Sequence, residues 1–306
     1  MGVFMKKDTE LKEPKTFEQQ LNILEDRGMI IEDREEAIKV LTITNYYRLT
    51  AYALQFKQND NYDNKVSFNT MYKLYKFDKR LRHLILEILE SIEISLRTYM
   101  AYTLSINYGP EAHNNPDIFK DINLYMGYDD IAGNHRKGLI DEIKSEVNKN
   151  RKELFIKHHL HKYNGHFPIW AIVEIFSFGM LSRMYANLNI TDQKAIAREG
   201  FSTNYKLLES WLNNLAYVRN ICAHYGRLYN KKLAINPKVH NKYTKYNLDL
   251  KRLFITILSI KELTINCDEW NTFKIQLEAL FEEYQAYINL KLIGFPYNWK
   301  DILSSV

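Results

Sequence analysis

Apolar residues recur at helical spacing along most of the chain. In the longest such run, residues 68–108, apolar side chains return every three or four positions, which predicts one long helix. A shorter run of the same kind predicts a helix over 16–27, and a second short helix follows the turn at Glu32–Asp33. The aromatic block N-Y-Y-R-L-T-A-Y-A-L-Q-F occupies residues 45–56. The first third of the chain is therefore expected to be helical.

The middle of the chain alternates between loop and helix patterns. Gly109–Pro110 ends the long helix, and a loop rich in Gly, Asn and Pro extends to about residue 134. A charged amphipathic pattern predicts a helix over 135–162. Pro168 then begins an apolar helix that continues through Leu181, since proline is well tolerated in the first helical turn.

Four further helices are predicted from residues that commonly cap helix N-termini. These are Thr191–Asp192, Ser202–Thr203, Asn247 and Asp268. The second of these helices runs to about Gly226, and the last two cover 248–263 and 269–291. Neither a convincing strand pattern nor a fixed repeat is visible. We expect an all-α protein with an N-terminal helical accessory segment over 1–66 and a helical domain over 67–306.

Composition favours a cytoplasmic protein that neither enters a membrane nor needs a small-molecule cofactor. Lysine and acidic residues interrupt the first apolar run at once, which argues against a signal peptide. The best membrane-spanning candidate, Ile169 to Leu181, is short and contains Glu174. Cys222 and Cys267 are the two cysteines, too few for a disulfide framework.

Positive charge is concentrated in one part of the chain. Residues 206–261 contain eleven Lys and Arg against two acidic residues, a net +9 in a chain of net +5. Tyrosines interleave with these cations, and cations with aromatic faces are typical of single-stranded RNA binding. The alternative is a solvated, lysine-rich loop. The residues expected to bind RNA are Tyr225, Arg227, Tyr229, Lys231, Lys232, Lys242 and Lys245.

The stretch R-N-I-C-A-H, residues 219–224, contains the candidate chemistry. Cleavage of RNA without a metal needs a group that moves a proton and a cation that offsets charge on the phosphate. His224 and Arg219 are residue types suited to these two roles. Five positions of helix separate side chains by about 140° and roughly 7.5 Å, so the two diverge on one regular helix. Asn220 shares a face with His224 and could orient its imidazole. A pattern of this kind alone is more often a salt-bridging arginine and a packed histidine.

Six stretches in order along nearly the whole chain carry a resemblance to a known family. They are R-G-M-I-I at 27–31, N-Y-Y-R-L at 45–49, L-R-H-L-I-L-E-I-L-E-S-I-E-I-S-L-R-T at 81–98, P-I-W-A-I-V-E-I-F-S-F-G-M-L at 168–181, W-L-N-N-L-A-Y-V-R-N-I-C-A-H at 211–224 and G-F-P-Y-N-W at 294–299. Together they resemble the abortive-infection Abi family (AbiD/AbiF-like), within the HEPN superfamily of helical ribonucleases.

The resemblance implies a HEPN-type helical bundle in which Arg219 and His224 are the catalytic pair and Asn220 is the polar residue beside the arginine. It also implies a metal-independent endoribonuclease toxin of an antiphage or toxin–antitoxin system, controlled by a small structured RNA and acting as a homodimer. The family commonly continues from the catalytic histidine with a second histidine, where this chain has Tyr225. The alternatives are a non-catalytic RNA-binding scaffold or regulator and a regulatory partner of a separate nucleotidyltransferase.

Four other patterns have a structural interpretation, which we prefer for the first three. Arg151 and His158 lie in a charged amphipathic stretch, and the histidines around 158–166 lack the carboxylate or cysteine partners of a helical metal site. Glu93 and Arg97, four residues apart, are expected to form an intrahelical ion pair, although the family block suggests that they line the cleft beside R-N-I-C-A-H. The block 46–48, Tyr-Tyr-Arg, is either core or an RNA-contacting surface.

Overall fold

The computed structural model describes residue 11, residues 13–63 and residues 66–305, and it confirms the predicted all-α class. The α-helices of these residues are α1 Phe17–Asp26, α2 Arg34–Ile43, α3 Tyr46–Ala53, α4 Phe68–Tyr108, α5 Ile122–Met126, α6 Leu139–Lys149, α7 Leu154–Lys162, α8 Ile169–Ile172, α9 Phe178–Asn187, α10 Ile190–Phe201, α11 Tyr205–Ala223, α12 Leu253–Leu263, α13 Cys267–Glu283 and α14 Trp299–Ser304. Within the described chain, the strands form two short antiparallel hairpins, β1 Lys57–Gln58 with β2 Asn61–Tyr62 and β3 Tyr128–Asp129 with β4 His135–Arg136. None of the described helices is long and apolar enough to span a membrane.

The chain forms two compact units, and the first contains the described residues up to 79 together with residues 284–288. Its α1 begins at Thr16, whose hydroxyl accepts from the Gln19 N–H while the Gln19 side chain accepts from the Thr16 N–H, a reciprocal cap. Leu21 and Leu24 on the inner face of α1 are fully buried. The Tyr52 hydroxyl donates to Asp78 at 2.6 Å, which gives this buried carboxylate a partner.

The second unit contains residues 80–283 and 289–306, and α11 lies at its centre. This helix packs against α9, α10 and α12. Trp211, Leu215 and Val218 on α11 are almost completely buried, as the helical spacing of apolar residues requires. The core of the second unit therefore holds α11 in place along its whole length.

The long helix α4 has the predicted bounds, whereas the segment that follows it is more ordered than expected. In place of one loop to residue 134, the chain forms α5 and the β3–β4 hairpin. The predicted helix over 135–162 is divided into α6 and α7. The division occurs at Asn150, whose side-chain amide donates to the Glu146 carbonyl and so satisfies the end of α6.

The apolar helix expected after Pro168 is also divided, into α8, a 3-10 turn and α9. Ser177 begins α9, because its hydroxyl accepts from the Met180 N–H at 3.3 Å. Phe176 before it is extended, so its carbonyl is released from helical pairing. The N-cap at Ser177 thus begins a new helix inside the apolar run that the sequence predicted to be one helix.

All four predicted N-caps are one or more residues away from the observed caps. Asn189 caps α10, Asn204 caps α11 and the Asn266 side chain accepts from the first turn of α13. The helix predicted from Asn247 begins only at Leu253, because residues 241–246 form a 3-10 helix that Asn247 ends in a left-handed conformation. Asparagine suits N-caps as well as Ser, Thr and Asp do.

Candidate active site at the end of helix α11

The R-N-I-C-A-H stretch forms the last turns of α11, and the helix is regular to its end. The His224 N–H donates to the Asn220 carbonyl at 3.0 Å, so these two residues lie on one face, and both side chains are exposed. Arg219 is half-buried and faces α4 instead. The divergence of Arg219 and His224 expected from their spacing is therefore present in the structure.

Arg219 forms part of a buried charge cluster with two residues of α4. Its Nε lies 3.8 Å from Glu93 Oε2, an ion-pair distance, while the other oxygen of Glu93 accepts from Arg97 at 2.5 Å. Arg97 also donates to the Phe176 carbonyl at 2.8 Å, the carbonyl released by the division between α8 and α9. Three segments that are distant in sequence thus meet in this cluster, and Arg219 joins it through Glu93.

For Glu93, the sequence predicted one of the two ion pairs that the structure contains. The intrahelical pair with Arg97 is confirmed, but Glu93 also reaches Arg219 across the helix interface. Burial raises the pKa of the Glu93 carboxyl, and the charges of Arg97 and Arg219 oppose that rise. The signal in the sequence was the family block at 81–98, since the spacing within α4 gave no information about α11.

The chain leaves α11 through a tight turn that exposes Tyr225. The Tyr225 N–H donates to the Cys222 carbonyl and the Gly226 N–H to the Ile221 carbonyl, a Schellman end. Tyr225 has φ of +59°, in the left-handed region where glycine is usual, and its side chain is 66% exposed. A Cβ at Gly226 would lie 2.9 Å from Ile221 Cγ2, so a glycine is needed at this position for close packing. The residue in the left-handed conformation is the preceding one, Tyr225.

The basic segment after α11, residues 226–252, is hydrogen-bonded to the side of that helix. Trp211 Nε1 donates to the Lys238 carbonyl at 2.7 Å, and the Asn214 amide donates to the Ile235 carbonyl at 2.7 Å. The Lys238 N–H donates back to the Ser210 hydroxyl. These bonds satisfy backbone groups of residues 235–238, which form neither helix nor strand, so this part of the segment has a defined path over α11.

This packing corrects the expectation for Tyr229. Its ring is 1% exposed, and its hydroxyl accepts from the Asn289 N–H at 2.9 Å, so it cannot stack on a base in this conformation. Tyr243 is likewise buried, and its hydroxyl donates to Glu262. Aromatic spacing among lysines did not reveal which rings belong to the core. Of the two tyrosines expected to contact RNA, Tyr225 alone is exposed.

The predicted cations also differ in their surroundings. Lys232 and Lys245 are exposed, whereas Arg227 and Lys231 are half-buried. Lys242 lies 3.0 Å from Glu262, the first acidic residue beyond the basic window. Part of the local positive charge is therefore neutralised by a residue that a linear count of the window leaves out.

Among the described residues, no group of three or more His, Cys, Asp or Glu side chains is arranged to hold a metal ion. Three histidines of and after α7, His158, His159 and His166, have other partners. His159 Nδ1 lies 2.8 Å from the Phe155 carbonyl, and His166 Nδ1 lies 3.1 Å from Glu111. His158 packs edge-on against His159 and Tyr163.

A sequence profile of one family, described as Abi-like protein, matches residues 39–230. The matched range includes the α4 block with Glu93, the division between α8 and α9, and the whole of R-N-I-C-A-H. No curated protein sequence and no solved structure matches the chain. Since the match extends over more than half of the residues and over every part of the charge cluster, the chain belongs to the Abi-like protein family.

Proposed function

We propose that this protein is a metal-independent endoribonuclease toxin of the HEPN type that acts in abortive infection. One observation carries the proposal: a half-exposed arginine, paired with a buried carboxylate at 3.8 Å, and an exposed histidine occupy the end of one helix. Membership of the Abi-like family supports the role in abortive infection. A fixed cation stabilises phosphate charge without reorganising during the reaction.

In the proposed reaction, His224 accepts the proton of a ribose 2′-hydroxyl as its oxygen bonds to the adjacent phosphorus. Arg219 offsets the charge of the phosphorane, the bond from phosphorus to the 5′-oxygen breaks, and that oxygen takes its proton from an imidazolium, the protonated form of His224. The products carry 2′,3′-cyclic phosphate and 5′-hydroxyl ends. Asn220, one turn before His224, orients the imidazole.

The divergence of Arg219 and His224 supports a site shared by two chains. In a homodimer with two-fold symmetry, both helix ends would face a common groove. One chain's histidine would then accept the proton of the 2′-hydroxyl, and the other chain's histidine would donate a proton to the 5′-oxygen. The exposure of Asn220, His224 and Tyr225 leaves this end of α11 accessible to a second copy and to RNA.

The basic segment supports the proposal that RNA is both the substrate and the partner that controls the toxin. Tyr225 offers an exposed ring, and Arg227, Lys231, Lys232 and Lys245 offer cations on a segment of defined path. Lys242 would join them only by leaving Glu262. A structured small RNA is the proposed antitoxin, because ordered cations and a stacking ring favour RNA bound without cleavage.

The direct test is cleavage of labelled RNA by purified protein in EDTA, together with toxicity in cells. Arg219→Ala and His224→Ala should each abolish both activities and leave the helical circular dichroism unchanged. Asn213→Ala, an exposed change on the same helix, serves as the matched control. Wild-type toxicity of His224→Ala would show that the active site lies elsewhere.

A second test addresses Glu93, which acts through Arg219 and is a positioning residue. Glu93→Gln removes the charge and keeps the shape, so kcat should fall about tenfold or more while KM changes little. Combined with Arg219→Lys, which keeps a cation at this position, it should cause less than the sum of the two single losses in activation free energy, because both changes act on one function. Additive losses would mean that Glu93 supports only the fold.

A non-catalytic RNA-binding scaffold is the alternative. The exposed lysines and Tyr225 would serve it equally well. That alternative holds if the wild-type protein binds RNA with a steep salt dependence, yet releases no 2′,3′-cyclic phosphate ends under any condition in which it is toxic.

A further inference from the structure

At the far end of α11 from the catalytic motif lies a cleft whose charged lining is entirely basic. Its volume is about 650 Å3, and its walls are formed by α10 and the start of α11. The lining residues are Thr191, Lys194, Ala195, Arg198, Thr203, Asn204 and Tyr205. Lys194 and Arg198 lie one helical turn apart on α10, so their side chains share the face that borders the cleft.

Two ammonium groups lie beside the Tyr205 ring, which lines this cleft; Lys194 belongs to the lining and Lys206 follows Tyr205 directly. Lys194 Nζ lies 5.7 Å and Lys206 Nζ 5.9 Å from the centre of the Tyr205 ring. Both lysines are exposed, so burial shields neither ammonium group from a ligand. The positive charge of the two groups favours an anion bound beside this ring.

The acidic residues nearby leave this positive charge largely in place. Arg198 pairs with its neighbour Glu199 at 3.0 Å, but both side chains are more than half exposed, and such pairs contribute little. Glu209 accepts from Gln193 and does not line the cleft. The N-terminal amide of Lys206 is already satisfied by the Asn204 side chain, so the site depends on side chains.

We propose that this cleft is a second RNA-binding site, in which Lys194, Arg198 and Lys206 bind phosphates and the Tyr205 ring stacks on a base. Cations around an aromatic face match a single strand, whose bases are open to stacking. Fourteen residues of helix separate Tyr205 from Arg219, about 21 Å. The cleft thus holds a part of the strand several nucleotides from the cleavage point, an assignment that rests on the proposed ribonuclease function.

The test measures binding of a fluorescent single-stranded RNA of about twenty nucleotides to full-length His224→Ala protein across salt concentrations. In this background, Lys194→Gln/Lys206→Gln should weaken binding about tenfold and reduce the log–log salt slope by about 1.4, the loss of two phosphate contacts. The control Lys152→Gln/Lys157→Gln removes two exposed charges elsewhere in the second unit and should change neither quantity. Equal effects of both pairs would overturn the site, since only net charge would then matter.

Two further arms identify the ligand chemistry. Tyr205→Leu should weaken RNA binding severalfold with little change in slope, whereas Tyr205→Phe should bind as the parent does, because stacking needs the ring alone. Polyglutamate that displaces RNA at equal charge concentration would contradict recognition of a base and overturn the RNA assignment.

The cleavage assay separates this proposal from the proposed function. If the wild type cleaves RNA but Lys194→Gln/Lys206→Gln leaves affinity and slope unchanged, the cleft proposal fails alone. If the substitutions weaken binding and the wild type never cleaves, the cleft is supported and the ribonuclease proposal fails.

Discussion

At the scale of single residues, the most informative position is Tyr225, a bulky residue in a conformation that suits glycine. The left-handed region costs an ordinary residue about 1 kcal/mol. The Schellman end of α11 requires a left-handed residue here, and the chain has a tyrosine with an exposed ring. Strain of this kind concentrates at functional sites, so the side chain is expected to contribute to RNA binding.

Comparison of Tyr225→Gly with Tyr225→Ala isolates this strain, because both changes remove the same side-chain contacts. The glycine variant should be more stable by about 1 kcal/mol in urea unfolding, since only alanine retains the steric penalty. Both variants should lose RNA affinity equally. Equal stabilities would show that φ at this position relaxes at no cost.

At the scale of elements, the pairing of α11 with the segment 226–252 joins the helix of the proposed catalytic residues to the cations that we propose bind RNA. Asn214 is completely buried, and its amide holds the Ile235 carbonyl. Together with Trp211, it fixes the path of residues that would otherwise form a solvated loop. Both residues lie on the helix that ends in the catalytic motif, so a change in the segment's path should alter RNA binding before it alters catalysis.

Asn214→Ala should release this segment while leaving α11 intact. Loss of the bond leaves a carbonyl without its partner and costs about 1–3 kcal/mol. Amide hydrogen exchange should accelerate over residues 233–240, and the salt slope of RNA binding should flatten. Asn213→Ala, on the exposed side of the same turn, is the control. Unchanged exchange in Asn214→Ala would mean that other contacts hold the segment.

At the scale of the whole molecule, one buried histidine couples stability to pH. His113 is 3% exposed, and burial lowers its pKa to about 4, with Glu111 opposing the shift. Below pH 6.5 the unfolded chain therefore binds a proton that the folded chain excludes. The corresponding stability is present above about pH 6.5 and is lost as the pH falls toward 4.

Between pH 7 and pH 5 this histidine should account for about 2 kcal/mol of the lost unfolding free energy. In His113→Gln, that part of the pH dependence should be absent, whatever the stability of the variant at pH 7. The exposed His161→Gln should follow the wild type. Urea unfolding at both pH values measures the difference, and parallel curves for wild type and His113→Gln would refute the coupling.

The proposed shared groove makes the oligomeric state a second property of the whole molecule. Light scattering of the active protein at micromolar concentration should give twice the 36.5 kDa mass of one chain. Isologous contacts close at two copies, so larger assemblies are not expected. An active monomer would require both catalytic groups to act within one chain, against their divergence on α11.

The sequence by itself determined the helical class, the bounds of α4 and the location of the candidate chemistry. Helical spacing of apolar residues survives any tertiary arrangement, because a helix must bury one face wherever it packs. The motif at 219–224 and the family blocks likewise need no coordinates. The divisions at Asn150 and Ser177 were less accessible, since they depend on side chains that compete locally for backbone groups.

Only the tertiary structure decided which charged and aromatic residues can act. Glu93 joins Arg219 across 126 residues of sequence, and Glu262 neutralises Lys242 from outside the basic window. Tyr225 is exposed while Tyr229, four positions later, is in the core. Ion pairs and burial are set by packing between elements that are distant in sequence. A linear pattern does not contain the distances in space between their side chains.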